Sequence, residues 1–290
     1  MIGPGANTRL PAMKTSFATA LLCGLTSLAQ ADEAAAPARA ALPLWEAGLF
    51  GLGIAQQAYP GSDETLRRGL VLPYLIYRGK VLRADNEGAG LRAVKSEHFE
   101  LDLSAAAALG GGGRSLKARQ GMRRLGTLLE FGPVARWYLN GRQASDRLTA
   151  ELPLRAVFDV GDQGRHQGMS VEPELGLERS AGASGWGYGL NARVFIGDRR
   201  LGSTFYGVTP EEALPDRPAY AARAGLLAWR LNGRVTRQLT PDLRLFAFGR
   251  IDSVAGAANR ASPLVRQTTG VTYGLGLSYT LMRSDARSGD

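Results

Sequence analysis

Apolar and polar residues alternate along most of this chain with a period of two. The clearest case lies near the end, where Val271, Tyr273, Leu275, Leu277, Tyr279 and Leu281 interleave with Thr272, Gly274, Gly276, Ser278 and Thr280. Such alternation sends one set of side chains to each face of a β-strand. Over 148–160, Leu148, Ala150, Leu152, Leu154, Ala156, Phe158 and Val160 oppose Thr149, Glu151, Arg155 and Asp159. Over 99–109, Phe99, Leu101 and Leu103 oppose Glu100, Asp102 and Ser104. The same pattern runs through 127–139, with Glu130 and Arg136 on the polar face, through 169–179 with Glu172, Glu174 and Glu178, and through 186–196 with Asn191 and Arg193.

Read in order, the pattern predicts about twelve strands from residue 44 onward. The first covers 45–57. The second covers 69–77 and holds Pro73, which a strand tolerates at an edge or a bulge. The third spans 81–93, with Gly88 and Gly90 suggesting a bulge. A short ninth strand spans 201–208. The tenth, 219–239, loses its pattern near Trp229. The eleventh covers 243–254. Turn chemistry separates them at Tyr59-Pro60-Gly61-Ser62-Asp63, Arg78-Gly79-Lys80, Asn140-Gly141 and Thr240-Pro241-Asp242. No long 3.6-residue period occurs beyond the first thirty residues.

The predicted strands run to about 10–13 residues, whereas soluble strands usually have about 5–6. A tilted strand needs about 9–11 residues to cross a bilayer. Aromatics sit near strand ends: Trp137 and Tyr138, Trp186 and Tyr188, Tyr273 and Tyr279. That is the placement of the girdles of membrane barrels. A half-buried soluble sandwich would also show one polar face, so the charges alone do not decide. Length and girdles favour an all-β antiparallel transmembrane barrel of about twelve strands spanning 44–281. Closure is required because lipid offers backbone groups no partner.

Composition agrees. The chain has 290 residues, 44% apolar, with 38 Gly and a net charge of +9. No run approaches the roughly 20 apolar residues of a membrane helix. The start reads as an export signal over 1–31: Arg9 and Lys14, an apolar core at 17–29, and the cleavage site Ala29-Gln30-Ala31. Translation could begin at Met1 or Met13. Cleavage would leave 33 basic and 26 acidic residues and remove the single cysteine, Cys23. Residues 32–43 read as a flexible Ala/Pro-rich lead, and 282–290 as a polar tail.

Two groups of residues carry candidate chemistry. The connector after the fourth strand holds Arg114, Lys117, Arg119, Arg123 and Arg124 without an acid. Counting strands from a periplasmic N-terminus puts it on the periplasmic side, where it would meet an anionic partner or lie as a solvated basic loop. The same count sends the loops 59–67 and 209–218 outward. Glu130, Arg136, Glu151, Arg155, Asp159, Glu172, Glu174 and Arg193 would line the lumen, as paired filling or as a small pore. Only His98 and His166 could serve a catalytic site; the count places His98 near the outer end of the fourth strand and His166 in a periplasmic turn. Ser96, Glu97 and His98 are adjacent and point to opposite faces. No metal-ligand spacing or phosphate loop is present, so no cofactor is expected. Nucleic acid is not an expected partner of an exported barrel; outer-membrane lipid is.

Tyr59-Pro60-Gly61-Ser62-Asp63, Pro73-Tyr74 with Tyr77-Arg78-Gly79, Gly126-Thr127-Leu128-Leu129-Glu130-Phe131-Gly132-Pro133 and Phe205-Tyr206-Gly207-Val208-Thr209-Pro210-Glu211-Glu212-Ala213 occur in that order. Together they resemble the MipA/OmpV family, the MltA-interacting proteins of the Gram-negative outer membrane. The resemblance runs from about Leu44 to Leu281. It implies a non-enzymatic outer-membrane barrel that scaffolds a lytic murein transglycosylase and a murein synthase; other members are described as adhesins or general outer-membrane proteins. A small-solute pore is the alternative. The sequence departs from the family pattern in its polar tail after Leu281 and in Arg123-Arg124 after Gly121-Met122, where the family often has an acid.

Overall fold

The computed structural model describes residues 42–79, 82–85, 88–108, 116–182 and 184–287. The expected signal (1–31), nearly all of the lead and Arg114 lie outside these residues. Thirteen strands form one antiparallel sheet: β1 (Trp45–Gln57), β2 (Thr65–Arg78), β3 (Leu82–Asp85), β4 (Gly88–Lys95), β5 (Phe99–Ala108), β6 (Leu128–Tyr138), β7 (Asp146–Asp159), β8 (Arg165–Val171), β9 (Glu174–Arg179), β10 (Trp186–Gly197), β11 (Gly225–Gln238), β12 (Leu243–Ser253) and β13 (Thr269–Arg283). Pairing of β1 with β13 and of β10 with β11 closes the sheet into a barrel.

The strands β8 and β9 occupy a single position in the wall. Val171 and Glu174 pair in unbroken register with Leu154 and Glu151 of β7, and with Ile196 and Arg193 of β10. Glu172-Pro173 interrupts them because proline has no N–H for the ladder. The barrel therefore has twelve strand positions.

That number agrees with the sequence reading through two opposite departures. The single strand expected at 81–93 is the hairpin β3–β4. The strand expected at 201–208 is a helix, α1 (Arg199–Tyr206). Asp198 caps it by accepting from the Leu201 amide, and Leu201, Gly202, Phe205 and Tyr206 form its buried face. That burial follows i, i+4 spacing rather than alternation. Gly168 in β8 lets the helix start approach, since a Cβ there would fall 2.3 Å from Asp198 Oδ1.

The two departures cancel in number but invert the middle of the chain. Residues 99–197 run opposite to the expected direction. The connector thus lies at the end away from the termini, not beside them. His98 sits in the turn 96–98 at the terminal end, and His166 near the other, the reverse of the expected arrangement.

The terminal end carries short turns such as 96–98 and 239–242, and an isolated bridge joins Pro43 to Arg287. The opposite end carries 58–64, the connector, 198–224 and 254–268. Outer-membrane barrels keep short turns in the periplasm and long loops outside, so the loop end is the outer end.

The exterior is the alternating apolar face. Val71 is 75% exposed and Leu275 70%, with Leu129, Phe131, Leu152, Leu190 and Leu231 also outward. Trp137, Trp186, Tyr188 and Tyr279 ring the periplasmic side, and Trp229 and Tyr273 the outer side. Tyr138, expected in the girdle, turns inward and is 2% exposed. Pro73 pairs with Leu49, at a level where β2 has no second partner among the described residues, as an imino acid requires. β13 runs two residues beyond Leu281, so the expected tail begins inside the sheet.

Candidate functional site: an ion-paired lumen under an apolar plug

The polar positions of the wall converge inside the barrel. On β9–β12 they form a ladder of alternating charge. Arg193 donates to Glu174 and, at 3.2 Å, to Glu172. Glu172 also accepts from Arg230 at 3.1 Å. Arg230 reaches Asp252 at 3.0 Å, and Asp252 accepts from Arg250 at 2.7 Å. The guanidinium of Arg230 also lies 4.1 Å from the centroid of the Phe195 ring. On the adjoining wall Arg136 donates to Glu151 at 2.7 Å, Arg155 faces Glu130 at 3.8 Å, and Glu178 joins Arg147 to Arg234. Asp159 is buried and accepts from the Gly161 amide at 2.9 Å, so it orders a turn rather than joining an ion pair.

The eight expected lumen residues thus lie on the inner wall, seven of them in ion pairs. The sequence reading missed Arg230, Arg234, Arg250 and Asp252. Their signal is present as even positions between the outward Trp229, Leu231, Val235 and Ile251. A bulge opposite Phe195 and Ile196 adds one residue near Leu226 to Ala228 and shifts the alternation there.

The opposite wall is apolar at mid-height. Phe50 and Leu52 of β1 pair with Leu72 and Leu70 of β2, and Phe246 and Phe248 of β12 lie over Gly276 and Gly274 of β13. In the periplasmic half a cavity of about 350 Å³ remains. Arg136, Glu151, Glu174, Arg193, Arg234 and Phe248 are among its lining residues.

The outer half is filled by an apolar plug. Tyr59, Leu116, Leu125, Leu201, Phe205, Tyr206, Val208, Leu227, Val254 and Leu264 pack into one buried cluster drawn from every long outer loop. Its two buried tyrosine hydroxyls find acceptors within it. Tyr59 donates to the Leu264 carbonyl at 2.8 Å, and Tyr206 to Pro60 O at 3.1 Å. Burial pushes Tyr59 up to about 12 and raises Tyr206 still further.

The connector residues take different places in the structure. Arg119 is buried in the plug, donates to Phe205 O at 3.0 Å and lies over Tyr59. Burial draws its pKa below the ordinary arginine value, with Tyr59 and Glu212 opposing. Arg217 fixes the connector turn by donating to Ala118 O and Gln120 O. Lys117 is exposed and gives its backbone amide to Glu64. Arg123 pairs with Asp162 at 3.0 Å, and Arg124 is exposed. The expected cluster is therefore one structural arginine and an outer basic rim.

His98 is exposed in its turn, and the Ser96 hydroxyl is bonded to Phe99. His166 packs its ring against Phe158 with centroids 5.4 Å apart.

No curated protein matches this chain. Among solved structures, the crystal structure of Pseudomonas aeruginosa OccK11 (OpdR) is similar at 12% identity and a TM-score of 0.26, covering 83% of this chain and 98% of that one. The family model described as MltA-interacting protein MipA matches residues 49–281. The chain belongs to the MltA-interacting protein (MipA) family and is an outer-membrane β-barrel.

Proposed function

We propose that the protein is a non-enzymatic scaffold that holds murein-remodelling enzymes, a lytic transglycosylase and a murein synthase, against its periplasmic turns. The observation that carries this reading is the filled outer half: an apolar plug above an ion-paired lumen disfavours passage of solutes. The periplasmic turns are the surface left for soluble partners. Leu139 and Leu239, in two of these turns, are 59% and 50% exposed and are the apolar side chains a partner would meet there. The family description names an interaction with MltA, which supports a murein enzyme as partner. A small-solute pore is the second reading, favoured by the periplasmic cavity.

The test pairs two assays. A lytic transglycosylase should co-purify with the wild-type barrel and be lost with L139D/L239D, while the purified barrel conducts no current in planar bilayers. Retention by that variant would remove the docking assignment, and stepwise conductance would replace the scaffold with the pore.

A further inference from the structure

The geometry points to a binding site, in the cavity of the periplasmic half, for a small N-acylated amino acid or dipeptide with a free carboxylate. Three rows of inward residues cross this wall, paired strand to strand from β7 through β9, β10 and β11 to β12. The row nearest the periplasm is Arg147, Glu178, Gly189, Arg234 and Phe248. The next is Thr149, Gly176, Asn191, Asn232 and Arg250. The third is Glu151, Glu174, Arg193, Arg230 and Asp252, the ion-paired ladder. Successive rows lie about 7 Å apart. The middle row is uncharged from Thr149 to Asn232. Gly176 and Gly189 send no side chain into the lumen, which hollows the wall there. A Cβ on Gly176 would fall 2.8 Å from Thr149 Oγ1.

Unused hydrogen-bonding groups converge on this recess. Arg234 donates to Glu178 through Nη2, at 2.6 Å. Its Nε and Nη1 have no acceptor among the described residues, and its side chain is 43% exposed. Glu178 also accepts from Arg147 at 2.7 Å, so this row carries one guanidinium more than it has carboxylates. Asn232 Nδ2 donates to Asn191 Oδ1 at 2.6 Å. That leaves Asn191 Nδ2 and Asn232 Oδ1 without partners among the described residues. A ligand carboxylate would take the spare donors of Arg234 in paired, charge-assisted bonds. The adjoining amide would donate to Asn232 Oδ1 and accept from Asn191 Nδ2, with Phe248 as an apolar wall. The cavity, at about 350 Å³, is near the lower end of the range for ligand pockets, about 300–1,000 Å³, so the ligand is small. The apolar plug lies between it and the outside, so the ligand would enter from the periplasm. This assignment does not depend on the proposed scaffold role.

The folded barrel in neutral detergent would be titrated calorimetrically with acetyl-alanyl-alanine, with the C-terminal amide of that peptide and with acetate. The free acid should bind at least about tenfold more tightly than either. Arg234→Gln should weaken the acid about tenfold and leave the amide unchanged. Asn232→Ala should weaken acid and amide alike and leave acetate unchanged. Both variants should keep the fast-migrating gel band of the unheated, folded protein. Should Arg234→Gln fail to fold, Arg234→Lys serves: it keeps the charge, loses the paired geometry and should weaken the acid selectively. Equal binding of the three probes, no binding of the acid, or wild-type preferences in a folded variant would overturn the site.

Discussion

Phe50 and Phe246 stack nearly parallel, with ring centroids 5.2 Å apart and planes 9° from each other. One lies on β1 and the other on β12, with the whole of β13 between them. They can meet because β13 presents glycine at the crossing. A Cβ on Gly276 would fall 2.2 Å from Gly51 O and 2.5 Å from the Phe246 ring. The ring could move, but the carbonyl belongs to the sheet. Gly276→Ala should therefore cost about 1–3 kcal/mol as an overpacked site, lowering the urea midpoint of the folded gel band. Adding Phe246→Ala should not restore it, because the backbone clash remains.

Glu172 is the hinge of the charge ladder, with Arg193 and Arg230 both on it. Removing one partner of a buried ion pair strands the others, which typically costs about 3–5 kcal/mol. Glu172→Gln should destabilise the barrel by that order in urea titrations. Replacing Glu172 and Arg230 together by Leu and Met should recover much of the loss, since the apolar pair leaves one fewer buried charge to satisfy.

The plug should respond to alkali. Tyr59 has a folded pKa of about 12 against an ordinary 10.0. Between these values the unfolded chain releases the proton and the folded one holds it, so stability falls as pH rises. Its contribution is complete below pH 10.0, and roughly 3 kcal/mol is lost by about pH 12. Tyrosinate absorbance followed against pH should show a group titrating near pH 12 that is lost in Tyr59→Phe, while the still later titration of Tyr206 remains.

Leu201 is fully buried at the centre of the plug. Leu201→Ala should cost about 2–5 kcal/mol, expressed locally as cleavage of 198–224 by external protease in intact cells. The strands should remain protected.

Much of this was legible in the residues because a barrel wall writes its two faces into alternating positions. The first strand has the bounds 45–57 in both readings, and Glu130, Arg136, Glu151, Arg155, Glu174, Glu178 and Arg193 are inward as their alternation implies. The orientation of the middle was not legible. Gly88 and Gly90 fit a bulge as well as a hairpin, so β3 and β4 merged. Leu201 to Val208 has enough apolar residues for a strand, and only the Asp198 cap and the Leu201–Phe205 spacing disclose the helix. Each misreading changes the strand parity by one. The pattern alone therefore places the connector in the periplasm, although its contacts with Phe205 and Glu64 join it to the outer loops. Those contacts are remote in sequence and have no local signal.

Sidedness is tested most directly by labelling single cysteines in intact cells with a membrane-impermeant maleimide, after replacing Cys23 by Ser. Arg124→Cys, on the connector, should label without permeabilising the outer membrane. Glu97→Cys, in the turn before β5, should label only after it. The reverse pattern would contradict the topology, the outer plug and the assignment of the short turns as the docking face.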